Sequence, residues 1–232
     1  MAGDLLMKLN ILKLGLLTYK AALDLQEKML LLRQQNEIPD TLILLEHPPV
    51  LTLGRRGEYE NILFSKEILE AQGVKIYEVN RGGDVTYHGP GQIVGYPIMD
   101  LSQLGKDIKE FVYKIEEVFI RLLLNEFEIK ATRDKNKYTG VWVGNKKITA
   151  IGIAVKRWIT MHGFAFNVNT DLTHFDWINP CGITDKGVSS VKKLLGREMD
   201  FFKMNELVIK YFSEVFEADR MDVKCIRPSR NG

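Results

Sequence analysis

Cysteine is nearly absent from this chain. Two in 232 residues, Cys181 and Cys225, are too few for a disulfide framework and form no Cys-x-x-Cys metal knuckle. Free thiols fit a reducing compartment, the cytoplasm, and leave a cysteine available as a nucleophile. Histidine is also scarce. His47, His88, His162 and His174 are scattered, make no His-x-x-x-His pair and give no metal site. A Gly-x-x-x-x-Gly-Lys phosphate loop is missing. A net charge of +2 excludes neither partner class outright, but it shows no nucleic-acid-binding or membrane-seeking surface. The apolar N-terminus (Leu5, Leu6, Met7, Leu9, Ile11, Leu12, Leu14) is interrupted by Lys8, Asn10 and Lys13. It is too short and broken for a signal peptide or membrane span and reads as a first strand. Repeats, low-complexity tracts and linkers are not seen, so residues 1–232 read as one domain.

What remains is a globular composition, 45% apolar and 27% charged, with enough length for a full core. After the first strand, Thr18 to Gln35 reads as a helix, with Ala22, Leu25, Met29 and Leu32 on one face. Leu42 to Leu45 is a short buried strand. Val50 to Leu53 is another, and the tandem Pro48-Pro49 before it implies an edge position or a bend. Phe64 to Gln72 reads as a short helix. Val74 to Val79 and Ile93 to Ile98 read as strands. Lys106 to Phe127 has the clearest helical stripe: Ile108, Phe111, Val112, Ile115, Val118, Phe119, Leu122 and Leu123 keep the i, i+3, i+4, i+7 spacing. A hairpin follows, Tyr138 to Val143 and Lys147 to Val155, with a further strand at His162 to Val168. Asn169 to Ser190 reads as irregular, and a last amphipathic helix carries Leu207, Tyr211, Phe212 and Val215. Strands and helices without regular βαβ alternation give an α+β fold with a mixed or mostly antiparallel sheet packed with helices.

Between two strand-like runs lies Arg81-Gly82-Gly83-Asp84-Val85-Thr86-Tyr87-His88-Gly89-Pro90-Gly91-Gln92. Four glycines and a proline give sharply bent backbone, and the polar side chains give a dense set of donors and acceptors. The floor of a binding site and an irregular hairpin are equally good readings of it. Cys181 sits in Asn179-Pro180-Cys181-Gly182, where the sulfur is unshielded, although a free cysteine is more often buried and inert. An unperturbed thiol is only a few per cent thiolate near pH ~7, so a nucleophile there needs a cationic or basic neighbour. Lys147, His88, His162 and His174 are the candidates. Lys147 opens an otherwise apolar strand, either as a solvated strand end or as a cation aimed into a pocket. Gly152 in mid-strand marks a close approach of other atoms.

These segments resemble a known family, the lipoyl(octanoyl) transferases. Five stretches carry the likeness in order: Glu46 to Gly54, Arg81 to Gln92, Lys147 to Gly152, His162 to Asn169, and Pro180-Cys181-Gly182. The resemblance implies the catalytic-domain fold of biotin and lipoate ligases. It implies that Cys181 takes octanoyl from an acyl carrier protein thioester and that Lys147 lowers the pKa of that cysteine. It implies acyl-pocket walls made by Arg81, Gly82, Gly83, Asp84, Val85, Thr86, Tyr87, His88, Ala150, Ile151, Gly152, Gly163, Phe164 and Ala165. His88 would orient substrate, assist proton transfer or hold the loop. The acceptors would be lysines on lipoyl domains of 2-oxoacid dehydrogenases, on the glycine-cleavage H protein, or on both. No metal or other cofactor, no nucleic acid and no membrane would be involved, and the enzyme would be monomeric. The alternative on the same fold is an ATP-dependent lipoate or biotin ligase, but Gly54-Arg55-Arg56-Gly57 resembles the biotin ligase loop only loosely and lacks its spacing.

Overall fold

The computed structural model describes residues 7–134, 138–179 and 186–225. Pro180, Cys181 and Gly182 lie outside them. The chain opens with β1 (Met7–Leu16), α1 (Tyr19–Gln34), β2 (Asp40–Glu46), β3 (Val50–Leu53), α2 (Lys66–Ala71) and β4 (Lys75–Glu78). Then come β5 (Val85–His88), β6 (Gln92–Ile98), α3 (Ile108–Phe127), β7 (Thr132–Arg133) and β8 (Gly140–Val143). The last elements are β9 (Lys146–Lys156), β10 (Ile159–Asn167), β11 (Gly187–Val188), α4 (Val191–Leu195), α5 (Phe201–Phe216) and β12 (Ala218–Cys225).

The larger sheet has the order β12-β1-β2-β6-β10-β9-β8-β7, with β11 paired beside β9. β1 is parallel to both β12 and β2. From β2 through β6, β10, β9 and β8 to β7 every pairing is antiparallel, so the sheet is mixed. Its middle strands are covered on both faces, as the unbroken apolar run of β2 requires. Alternate residues point opposite ways along a strand. Leu42 and Leu44 therefore join Phe111, Ile115, Phe119, Val208 and Phe212 of α3 and α5, while Ile43 and Leu45 join Ala22, Met29 and Leu30 of α1. From Phe111 to Leu123 the stripe of α3 is core apart from half-buried Val112, whereas Ile108 at its start is exposed, and Phe119 meets the ring of Phe164 edge-on at 4.8 Å. Asp107 caps that helix, accepting from the Lys109 and Glu110 amides at 2.8 and 3.1 Å.

A second sheet has the order β4-β3-β5. β3 is thus a middle strand and not an edge, and Pro48-Pro49 mark the bend where the chain crosses from one sheet to the other. The prolines precede β3, so every amide of the strand is available for pairing. Two stretches differ from the sequence expectation. The segment after residue 169 is not wholly irregular: Leu172–Trp177 form a 3-10 helix, and β11 pairs with Lys146 and Lys147. β12 carries too little apolar alternation to show as a strand, because it needs only one neighbour, at the sheet edge beside β1.

Candidate active site

A cavity of about 700 Å³ is lined by residues of both sheets. Residues 81–86 and His88 supply one wall, Lys147 and residues 150–153 of β9 another, and residues 162–165 of β10 a third. Trp142, Tyr19, Tyr96, Asn179 and Lys186 also line it. Among the resemblance-derived residues that are described, Tyr87 is the exception. Strand alternation turns its ring away from His88, onto Phe175 and Trp177, and its hydroxyl bonds His174 Nδ1 at 2.7 Å. Tyr87 is 1% exposed and belongs to the core of the small sheet. It is a core residue and not a lining one, and His174 follows it away from the cavity wall.

Arg81 binds the two sheets together. Its Nη2 donates to the carbonyl and hydroxyl of Thr52 on β3, at 2.7 and 2.8 Å, and Nη1 donates to Gly82 O at 3.0 Å. The backbone around it is tied on both sides: Arg55 N donates to Arg81 O, and Gly82 N donates to Ile153 O on β9, each at 3.0 Å. This contact explains Gly152, where a methyl group would stand 2.7 Å from Gly82 O and 3.1 Å from Arg81 Cδ. Gly163 has the same reason: its missing methyl would overlap Gly95 O at 2.0 Å. Both glycines admit backbone carbonyls. Gly152→Ala is therefore expected to cost about 1–3 kcal/mol of stability, read as a lower denaturation midpoint at unchanged m-value; an unchanged midpoint would contradict this packing.

Three histidines stand close to this cavity, and all are neutral near pH 7. Burial, then the neighbouring His47, lower His88 to about 3. Burial lowers His47 to about 4. Burial followed by the Arg81 charge lowers His162 to about 4. His88 donates from Nδ1 to Gln92 Oε1 at 2.8 Å, which leaves Nε2 as the acceptor nitrogen. Gln92 in turn donates to Asn167 Oδ1 at 2.9 Å, Asn167 donates to Ser189 O at 3.1 Å, and Ser189 N donates to Lys147 O at 2.9 Å. A single chain of bonds thus fixes the glycine-rich loop relative to Lys147.

Lys147 is placed by a register shift. Val141 pairs with Thr149 and Trp142 with Lys147, so Ile148 is left without a partner on β8. A bulge of this kind re-aims the side chains beside it. The Lys147 ammonium lies 4.8 Å from the centroid of the Trp142 ring. Lys186 reaches the same ring at 4.7 Å and pairs with Asp134. Of the four cationic or basic neighbours the sequence offered, two are neutral and one faces elsewhere. Lys147 is the one that brings a cation to the wall. Trp142, Thr52 and Tyr19 were missed in the sequence, because only the bulge and the crossing of two sheets bring them here. Among the described residues no group of His, Cys, Asp or Glu is arranged to hold a metal, and no helix is long and apolar enough to cross a membrane.

A mixed sheet with helices on both faces, and a glycine-rich loop meeting a lysine strand at one cavity, define a catalytic domain of the biotin and lipoate ligase class. The structure of a bi-partite lipoate protein ligase and its E2 lipoyl domain from Thermoplasma acidophilum superposes with a TM-score of 0.72, covering 96% of this chain and 88% of that one. At 18% identity that likeness establishes the fold alone. Sequence goes further. Residues 18–213 match the family described as the lipoyl protein ligase A/B catalytic domain. An octanoyltransferase of Caldicellulosiruptor saccharolyticus is 63% identical, with 91% of this chain and 90% of that protein covered. One from Desulforamulus reducens is 61% identical, with 92% and 93% covered. The chain belongs to the lipoyl(octanoyl) transferase family.

Proposed function

We propose that this acyltransferase moves an octanoyl group from the thioester of acyl carrier protein to a lysine of a lipoyl domain, through a thioester on Cys181. In the first half-reaction the Cys181 thiolate attacks the donor carbonyl, and the carrier thiolate leaves. In the second, the acceptor amine attacks the acyl-enzyme, an amide forms, and Cys181 leaves as thiolate while the amine loses a proton. Thioester exchange is close to isoenergetic and amide formation from a thioester is downhill, so neither step calls for ATP.

The placement of Lys147 carries this reading. Its side chain lines a cavity whose wall also includes Asn179 and Lys186, the described residues that bracket the segment bearing Cys181. A cation near that sulfur favours thiolate, and the neutral amine would accept a proton from thiol or incoming lysine. Residues 82–86, His88, 150–152 and 163–165 would wall the acyl chain. Arg81 and Tyr87 would hold that wall in shape. An eight-carbon chain fills only part of about 700 Å³, which leaves room for the thioester and the attacking amine. In this reading the chain is one cytoplasmic catalytic domain that works as a monomer, and the acceptors are lipoyl domains of 2-oxoacid dehydrogenases or the glycine-cleavage H protein.

The test is intact mass after mixing with octanoyl-acyl carrier protein without ATP, beside a Cys181→Ser control. A hydroxylamine-labile gain of one octanoyl group, absent in the control, is the expected result. Turnover at the normal rate by the Cys181→Ser protein would remove the mechanism. Adenylate formation from lipoate and ATP, with no acyl-enzyme, would replace it with a ligase.

A further inference from the structure

Glu116 has no part in the steps above, yet it is a buried carboxylate, 8% exposed, with both oxygens engaged. Oε1 accepts the Gly140 amide at 2.9 Å and Oε2 faces Arg133 Nε at 3.2 Å. Gly140 has φ +134°, and a methyl group there would stand 2.5 Å from Thr149 O and 3.4 Å from both Cδ and Cε of Lys147. The carboxylate therefore anchors the residue against which the outer carbons of Lys147 lie. Two positions further on, Trp142 carries the ammonium over its ring. The two charges also act on each other. Burial raises the Glu116 carboxyl above its usual range, while the Gly140 amide, Arg133 and then Lys147 pull it down. Attraction is reciprocal, so an ionised Glu116 favours the ammonium form of Lys147 as much as Lys147 favours the carboxylate.

We propose that Glu116 is the positioning residue of Lys147, fixing its reach into the cavity through Gly140 and supplying a buried opposite charge. This rests on the reading of Lys147 as catalytic. The charged groups facing Glu116 are Arg133 on β7, which also pairs with Glu117 at 2.6 Å, and Lys147 on β9. Those sharing the indole with Lys147 are Lys186 and, through it, Asp134.

The experiment is acetylation of the folded protein by acetic anhydride across a pH series, with labelling of each lysine read by mass spectrometry. Lys210, half-buried on α5 and paired with Glu126, serves as the internal reference. Glu116→Gln keeps an oxygen for the Gly140 amide and removes the charge. In that variant Lys147 is expected to react roughly tenfold faster at neutral pH, with its profile displaced to lower pH and Lys210 unmoved. A gain in exposure alone would raise the rate equally at every pH; that outcome, or an unmoved profile, would overturn the proposal. Glu116→Asp, which holds the charge one carbon further back, is expected to fall between the two. Should the glutamine variant not fold, an unmoved profile in the aspartate variant overturns the proposal by itself. Single-turnover octanoyl transfer in the same variants is expected to fall about tenfold with KM unchanged. A displaced profile with undiminished transfer would remove the catalytic role of Lys147 and leave its coupling to Glu116 standing.

Discussion

Lys147→Met is expected to slow acylation of the enzyme by about 10²- to 10⁴-fold, the range that a well-placed proton-transfer or charge partner supplies. Methionine keeps most of the stem that lies against Gly140 and loses the ammonium, so the cavity is retained while one of the two ammonium groups over the Trp142 ring is lost and Lys186 stays paired with Asp134. The neighbouring histidines cannot replace it. His88 and His162 are held neutral by burial and, in part, by Arg81. A third imidazole, His174, is bonded to Tyr87 in the other core. Without a cation, an ordinary thiol is only a few per cent ionised near neutrality, with a pKa of about 8.5. Raising the pH should therefore restore part of the lost rate, because thiolate then forms without help. Single-turnover mass spectrometry across a pH series would show both effects. A rate within about threefold of the unaltered enzyme would be far below that range and would remove Lys147 from the chemistry.

Much of this site was legible in the sequence, for identifiable reasons. The stripe of α3 and the strand-like runs of β9 and β10 are local patterns, and the walls of the large sheet follow from them. The glycine at 152 announced a close contact, although not which atoms approach, and that at 163 gave no such signal. Tyr87 was misplaced because one-strand parity settles its direction only once the face of β5 towards the cavity is known. That face is set by pairing with β3, a partner far away in the chain. The role of Arg81 was hidden for a related reason: its acceptor, Thr52, lies in the strand that the prolines made look like an edge. Charge states are the least legible feature of all. Burial neutralises three histidines here, and burial is a property of the packed molecule, not of neighbouring residues in sequence.

Those histidines give the second large effect: stability is expected to fall steeply between about pH 6.5 and 4. In the unfolded chain each histidine binds its proton near pH ~6.5. In the folded protein His47 and His162 do so only at about 4, and His88 at about 3. The unfolded state therefore binds more protons throughout this window. The stabilisation is complete above the unfolded value and is lost as pH falls through the folded ones. With all three groups acting, the slope reaches roughly 4 kcal/mol per pH unit. All three side chains are buried, so solvent screening does little to weaken it. Asp40, Glu46 and Glu116 act in the opposite sense. Burial raises each carboxyl, so the folded state takes up those protons first and gains as pH falls. That gain starts as pH falls through the raised folded values and is complete near the ordinary carboxylate value of about pH 4, so it offsets part of the histidine loss. Denaturation midpoints measured from neutral pH down to about pH 5 would show the net fall. His162→Asn isolates one of the three: its backbone has φ +56°, a conformation asparagine tolerates, and its Nδ1 has no hydrogen-bond partner among the described residues. That variant should keep about two-thirds of the slope. A midpoint that stays level to pH 5, or a slope that His162→Asn leaves unchanged, would show that the buried imidazoles do not control acid stability.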